Sequence, residues 1–188
     1  METEKEKMLS GKLYDASDKE LVEWRTNTRL LLKAFNDCSE DRLDERVDVL
    51  GELLPNGGEN LYIQPPFYCD YGGNITTGEN VFLNFNCTIL DVAPVTIGNR
   101  TLLGPNVQLY TATHPLDYKL RATGLESAKP ITVGSDVWIG GGAIICPGVT
   151  IGNRTVIGAG SVVTKDIPAG VFAGGNPCKV IRELESED

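Results

Sequence analysis

Residues 131–167 read ITVGSDVWIGGGAIICPGVTIGNRTVIGAGSVVTKDI, and the fold is decided there. Val133, Ile139, Ile145, Ile151, Ile157 and Val163 recur every six residues without a slip, and Ile97, Leu103 and Leu109 fall in the same phase. Four residues beyond the anchors come small or β-branched side chains: Thr101, Val107, Val137, Ala143, Val149, Thr155, Ser161 and Ile167. A period of six with two inward positions fits neither a 3.6-residue helix nor a long strand of period two. It fits a solenoid in which each hexad gives a short strand and a corner, with stacked aliphatic side chains filling the interior. Glycine after an anchor, as in Ile151-Gly152 and Ile157-Gly158, suits the turns. Periodicity leaves the hand of the coil open.

The phase runs backward through Thr77, Leu83 and Ile89, shifted by two residues around Asp91 to Pro94. Between Leu109 and Ile131 the anchors vanish, which predicts a loop over 111–130 protruding from the coil. The chain's one histidine, His114, stands at its root. Upstream the composition changes. Residues 1–60 hold nine basic and fifteen acidic side chains with four glycines, and the remaining 128 residues hold eight, eleven and seventeen. A helical segment over 1–60 followed by a glycine-punctuated body over 61–188 is therefore expected. Ser17 and Glu20 have the spacing of a capping box, and Leu21, Trp24, Thr28, Leu31 and Phe35 give the helix after it one apolar face. A second helix should present Leu43, Val47, Leu50 and Leu54 and stop at Pro55.

Composition narrows the function. The 188 residues are 41% hydrophobic and 23% charged, a globular balance, and a net charge of -9 removes the footprint of a general nucleic-acid binder. No apolar run has the length of a membrane span, and the opening Met1 to Lys7 is charged where a signal peptide is apolar, so the expected place is the cytoplasm, with no membrane partner. Cys38, Cys69, Cys87, Cys146 and Cys178 form no Cys-x-x-Cys pair and read as reduced thiols. A metal site built on several histidines is excluded, and no metal is expected. A phosphate-binding loop of the Walker type is missing too.

Several short motifs carry a resemblance: Ser10-Gly11-Lys12-Leu13-Tyr14-Asp15 followed by Arg25, Asn84-Phe85-Asn86, Leu90-Asp91-Val92, Thr111-Ala112-Thr113-His114-Pro115, Asn176-Pro177 and Val180-Ile181-Arg182. With the hexads they make nearly the whole chain similar to the hexapeptide-repeat acyltransferases, within them the maltose and galactoside O-acetyltransferase branch. The resemblance implies an all-β body, a left-handed parallel β-helix, behind a small N-terminal α-helical segment. It also implies a homotrimer with active sites at the subunit interfaces, acetyl-CoA as co-substrate and a sugar hydroxyl as acceptor.

An alcohol attacking a thioester near neutral pH needs a base, and histidine titrates in the right range. The resemblance gives that role to His114, Asn84 a place near acetyl-CoA and the acceptor, and Tyr14, Arg25, Asp70 and Asp91 to the sugar. Glu126, across the same loop, is the candidate for orienting the imidazole, with a solvated loop acid as the plain alternative. For Asn84 the alternative is a side chain that stabilises a corner of the coil. Along the donor path the resemblance places Trp138, Gly141, Ala159, Thr164, Lys165, Lys179 and Arg182 beside Asn84. The glycines also suit plain corners, and the basic residues a solvated surface. Asp70 departs from the small hydroxyl residue of the galactoside branch, which leaves the acceptor open among maltose, glucose, related glycosides, a xenobiotic or an oligosaccharide. A non-catalytic solenoid trimer is a further reading. The β-helical carbonic anhydrases, which hold zinc with several histidines, do not fit a chain with one.

Overall fold

The computed structural model describes residues 2–185; Met1 and residues 186–188, the outer ends of the two expected segments, lie outside the described residues. The hexads form a parallel β-helix with three flat faces. The first face stacks Ile75–Thr77, Val95–Ile97, Ile131–Val133 and Thr150–Ile151. The second stacks Tyr62–Ile63, Phe82–Leu83, Leu102–Leu103, Trp138–Ile139, Val156–Ile157 and Val171–Gly174, with Lys179–Glu183 added antiparallel at its end. The third stacks Phe67–Cys69, Cys87–Leu90, Gln108–Tyr110, Ile144–Ile145 and Val162–Val163.

Both inward positions of the hexad are filled as the pattern requires. Ile139, Ile145, Ile151, Ile157 and Val163 are buried, and so are Val137, Ala143, Val149, Thr155 and Ser161 at the fourth position onward. The polar members of that second set find partners: Thr101 donates to the Gly134 carbonyl at 2.8 Å and Thr155 to the Pro168 carbonyl at 2.8 Å. That satisfies groups that would otherwise be costly to bury.

The corner between the first and second faces places Asn80, Arg100, Asp136 and Arg154 at φ between 54° and 59°. A left-handed backbone costs a side-chain-bearing residue about 1 kcal/mol or more. Each of these residues donates its N–H to a carbonyl of the preceding coil, on Glu59, Glu79, Asn99 and Ser135, at 2.8–2.9 Å. The stacked corners are thus tied by a ladder of backbone bonds.

The remaining corner, from the third face to the first, is not uniform. From inward residue to inward residue it takes eight positions between Cys69 and Thr77 and eight between Ile89 and Ile97. It takes twenty-four between Leu109 and Val133, and six between Ile145 and Ile151. The two-residue shift at Asp91 to Pro94 is one of these widenings.

The N-terminal segment packs against that edge and the coil's first turn. Helix α1 spans Glu4–Leu9 and opens with a capping box that the motif reading missed: Glu6 N–H donates to Thr3 Oγ1 at 3.1 Å, and Thr3 N–H to Glu6 Oε2 at 2.7 Å. Helix α2 spans Lys19–Asn36. Its cap is Asp18, which accepts from Glu20 N–H at 3.0 Å, and not Ser17 as expected. Asp15 captures Ser17 first, accepting from its N–H at 2.8 Å and its hydroxyl at 2.7 Å. Helix α3 spans Leu43–Leu53, and the expected face is inward only at its C-terminal end, where Leu50 and the following Leu54 are buried. Leu43 and Val47 are exposed, Val47 to 65%, and Arg46, Leu50 and Leu53 are buried. Arg46 is drawn in by the Cys38 carbonyl and the Glu40 carboxylate, both at 3.0 Å.

Leu32, Phe35, Leu50, Leu53 and Leu54 join the coil's continuous core. A second, smaller cluster of Met8, Tyr14, Leu21, Tyr71, Val92, Ala93 and Ala128 fastens α1 and the start of α2 to the widened edge.

Candidate active site

The 111–130 loop leaves and rejoins the coil at the widened edge. Its arms, Ala112–Thr113 and Leu125–Ala128, pair antiparallel, and Tyr14–Asp15 adds a third strand from the N-terminal segment. Between the arms, helix α4 spans Tyr118–Arg121, capped by Asp117, which accepts from the N–H of Lys119 and of Leu120. The root is pinned by Thr111, fully buried, whose hydroxyl donates to the Leu90 carbonyl at 2.6 Å and accepts from Ala93 N–H at 2.9 Å.

Beside this small sheet a cleft of about 310 Å³ opens, lined by Tyr14, Ala16, Arg25 and Arg29 from the N-terminal segment. Asp70, Tyr71, Leu90 and Val92 line it from the widened corners, and Ala112, His114 and Glu126 from the loop. The fold thus gathers His114, Glu126, Tyr14, Arg25 and Asp70, five of the residues expected at the site, from positions spread over more than a hundred residues of sequence. His114 is exposed at the cleft, and its side chain makes no hydrogen bond among the described residues.

Register explains the grouping on the loop side. Tyr14 stands opposite Glu126, Ala112 opposite Ala128 and Thr113 opposite Ser127. The pairing ends at Thr113, one residue short of His114, and its register carried one residue further would set His114 across from Glu126, in the row of Tyr14. Tyr14, only 1% exposed, donates its hydroxyl to Glu126 Oε2 at 2.8 Å. Among the described residues the Glu126 carboxylate bonds Tyr14 through Oε2, and no hydrogen bond joins it to His114.

On the other wall, Arg25 donates from Nη1 to the Tyr71 hydroxyl at 2.6 Å and from Nη2 to the Ala16 carbonyl at 2.5 Å. Trp24 lies against Tyr71 with ring centroids 4.6 Å apart. Arg29, one turn beyond Arg25, and Tyr71, beside Asp70, were missed as site residues. A helical spacing of four from Arg25 was the available signal for the first. Burial pushes the Asp70 carboxyl above its ordinary value, and Glu126 adds to that, while Arg25 and Arg29 pull it down. Burial also raises the Tyr14 hydroxyl, with Glu126 contributing, so Tyr14 stays a donor.

Asp91, expected at the sugar, is not a cleft residue. It is 0% exposed and lies beneath the cleft floor, where Oδ1 accepts from the N–H groups of Asp70 and Tyr71, each at 2.9 Å. Its Oδ2 is buried without a partner among the described residues, and burial pushes its pKa up to about 6. It shapes the corner that carries Asp70 and does not face the cleft.

The residues expected along the donor path stand elsewhere on the chain. Asn84, Gly141 and Ala159 lie on the corner between the second and third faces, the opposite edge of the third face from the cleft. Asn84 Oδ1 accepts from Phe85 N–H at 2.8 Å, and Gly160 N–H donates to the Gly141 carbonyl at 2.9 Å. Trp138 points out from the second face, 55% exposed. Thr164 and Lys165 follow the last strand of the third face, and Lys179 and Arg182 belong to the closing antiparallel strand; all four are exposed.

Among the described residues no group of three or more His, Cys, Asp or Glu side chains is arranged to hold a metal ion, and no helix is long and apolar enough to cross a membrane.

The prism of stacked hexads and the helical segment in front of it are each matched by a family model, and together they mark a hexapeptide-repeat acyltransferase. Residues 130–165 match the bacterial transferase hexapeptide family of six repeats, and residues 7–58 match the maltose acetyltransferase hexapeptide capping motif. The chain belongs to the maltose and galactoside O-acetyltransferase family. It is similar to a maltose O-acetyltransferase from Clostridium difficile 630, whose crystal structure superposes with a TM-score of 0.96 at 51% identity over 98% of each chain. A galactoside acetyltransferase in complex with coenzyme A superposes with a TM-score of 0.93 at 44% identity, over 96% of this chain and 90% of that one. The galactoside O-acetyltransferase of Escherichia coli K12 is 44% identical over 97% of this chain and 90% of its own length.

Proposed function

We propose that the protein transfers an acetyl group from acetyl-CoA to a hydroxyl of a hexose or short glycoside bound in the cleft, with His114 as general base. The observation that carries this reading is the convergence of His114, Glu126, Asp70 and Arg25 on one cleft. Imidazole takes the proton as the sugar oxygen attacks the acetyl carbon. The tetrahedral adduct then collapses, the carbon–sulfur bond breaks, and the imidazolium returns its proton to the leaving thiolate. No covalent intermediate on the enzyme is needed. Asp70, whose side chain has no hydrogen-bond partner among the described residues, is free to accept from sugar hydroxyls, and Arg25 with Arg29 frames the same wall.

The donor then comes along the seam with a neighbouring copy. His114 and the set Asn84, Gly141 and Ala159 lie on different edges of one protomer, so a site containing both needs two chains. The outer surfaces favour such an assembly. The first face shows solvent a ladder of threonines, Thr76, Thr96, Thr132 and Thr150, while the second shows Tyr62, Phe82, Leu102, Trp138 and Val156. An apolar stripe of this kind marks an interaction face, and the resemblance to the family makes the assembly a homotrimer. With Oδ1 held by Phe85 N–H, the amide nitrogen of Asn84 is left as a donor for the thioester oxygen. Lys165, Lys179, Arg182 and Thr164 supply polar and cationic groups for the phosphates of coenzyme A, and Trp138 a flat apolar surface. In this reading the segment 1–60 forms the acceptor side of the site. Five unpaired cysteines suit a cytoplasmic setting.

The test is release of coenzyme A thiol from acetyl-CoA with maltose, glucose, a galactoside and chloramphenicol as acceptors. Release stimulated by a sugar supports the reading. Stimulation by chloramphenicol alone would move the acceptor to the xenobiotics, and absence of acetyl-CoA binding would leave a non-catalytic solenoid.

A further inference from the structure

We infer that Tyr14 is a positioning residue, which holds the Glu126 carboxylate in place for the His114 imidazole, rather than a residue that touches the sugar. The inference rests on the proposed role of His114 as base. Tyr14 is almost wholly buried, and its hydroxyl is already committed to Glu126 Oε2 at 2.8 Å. A phenol so placed has its apolar body in the cluster of Met8, Leu21 and Ala128 and only its polar tip turned to the site.

The geometry gives this bond a direction. Glu126 occupies the central strand of the small sheet, with Tyr14 directly opposite on one side and the position of His114 in continued register on the other. Side chains in such a row share one face of the sheet, with Cβ atoms about 4.5–5.5 Å apart. With Oε2 bonded to Tyr14, Glu126 Oε1 is the oxygen left to meet the imidazole. A free glutamate side chain has three rotatable bonds, and a donor on one oxygen reduces that freedom. A carboxylate fixed in this way sets the ring's orientation and stabilises the imidazolium that forms when the acceptor's proton is taken. The N-terminal strand thereby becomes part of the catalytic arrangement without contacting either substrate.

The experiment is a double-mutant cycle with Tyr14→Phe, Glu126→Gln and the pair, read as kcat, KM for acetyl-CoA and thermal midpoint. Phenylalanine keeps the buried ring and removes only the hydroxyl. The expected result is a fall in kcat of roughly tenfold for Tyr14→Phe. KM for acetyl-CoA stays unchanged, and Tyr14→Phe has almost no further effect in the Glu126→Gln background. Equal losses in both backgrounds, tracking a lowered thermal midpoint, would show a merely structural tyrosine and overturn the inference. So would parental kcat in Tyr14→Phe or in Glu126→Gln. These outcomes are separable from failure of the base itself, which would appear as near-parental turnover in His114→Ala.

Discussion

The carboxylate of Asp91 lies under the cleft and accepts the backbone N–H of Asp70 at 2.9 Å, so a fully buried acid sets the position of a half-buried one that lines the cleft. Burial holds the Asp91 pKa at about 6, above the ordinary carboxylate value, against the hydrogen bonds from Tyr71 and Asp70. Between pH about 4 and about 6 the folded protein keeps a proton that the unfolded chain has released. The contribution of this group is therefore fully present below about pH 4 and is lost as pH rises through about 6. Asp91→Asn retains an oxygen for the two N–H groups and carries no charge. Its thermal midpoint relative to the parent should rise by roughly 5 °C between pH 4 and pH 7. A difference that stays constant across that range contradicts the account.

Asp70 lines the cleft, and its side chain makes no hydrogen bond among the described residues, which in the proposed reading leaves it for the acceptor sugar. Asp70→Asn should raise KM for the sugar by roughly tenfold, as expected for a lost hydrogen bond to a charged group. KM for acetyl-CoA should not move. A matching rise in both constants would mean that the substitution disturbs the whole site.

Gly72 carries the tight turn after Asp70 at φ +69°, and a Cβ there would stand 2.1 Å from the Leu53 carbonyl oxygen. Both the backbone conformation and the close approach of α3 require glycine. Gly72→Ala should cost about 2 kcal/mol or more, measured by denaturant unfolding, with the midpoint lowered and the slope unchanged. Parental stability would show that the corner yields more easily than its packing implies.

The coil was legible in the sequence because a six-residue phase has few physical explanations, and every anchor from Val133 to Val163 turned inward. The two-residue shift near Asp91 was also visible, but its consequence, a shelf on which a cleft forms, needed the register of neighbouring coils. Side-chain direction was harder to read. Asp91 stood in a site-like motif, yet spacing does not distinguish a carboxylate aimed into a cleft from one aimed at the backbone beneath it. The N-terminal half of the α3 face was misread for a related reason, although Leu50 and Leu54 turned inward as expected. Hydrophobic spacing favoured Val47, while the Cys38 carbonyl and Glu40 drew Arg46 inward. The Tyr14 to Glu126 bond joins residues 112 positions apart and left no local trace.

In the proposed reaction the imidazole of His114 takes the acceptor's proton. Steady-state turnover of acetyl-CoA at saturating sugar by His114→Ala decides whether it does. The expected outcome is kcat lower by roughly 10²–10⁴-fold with KM for acetyl-CoA essentially unchanged. Turnover within a few-fold of the parent would contradict it.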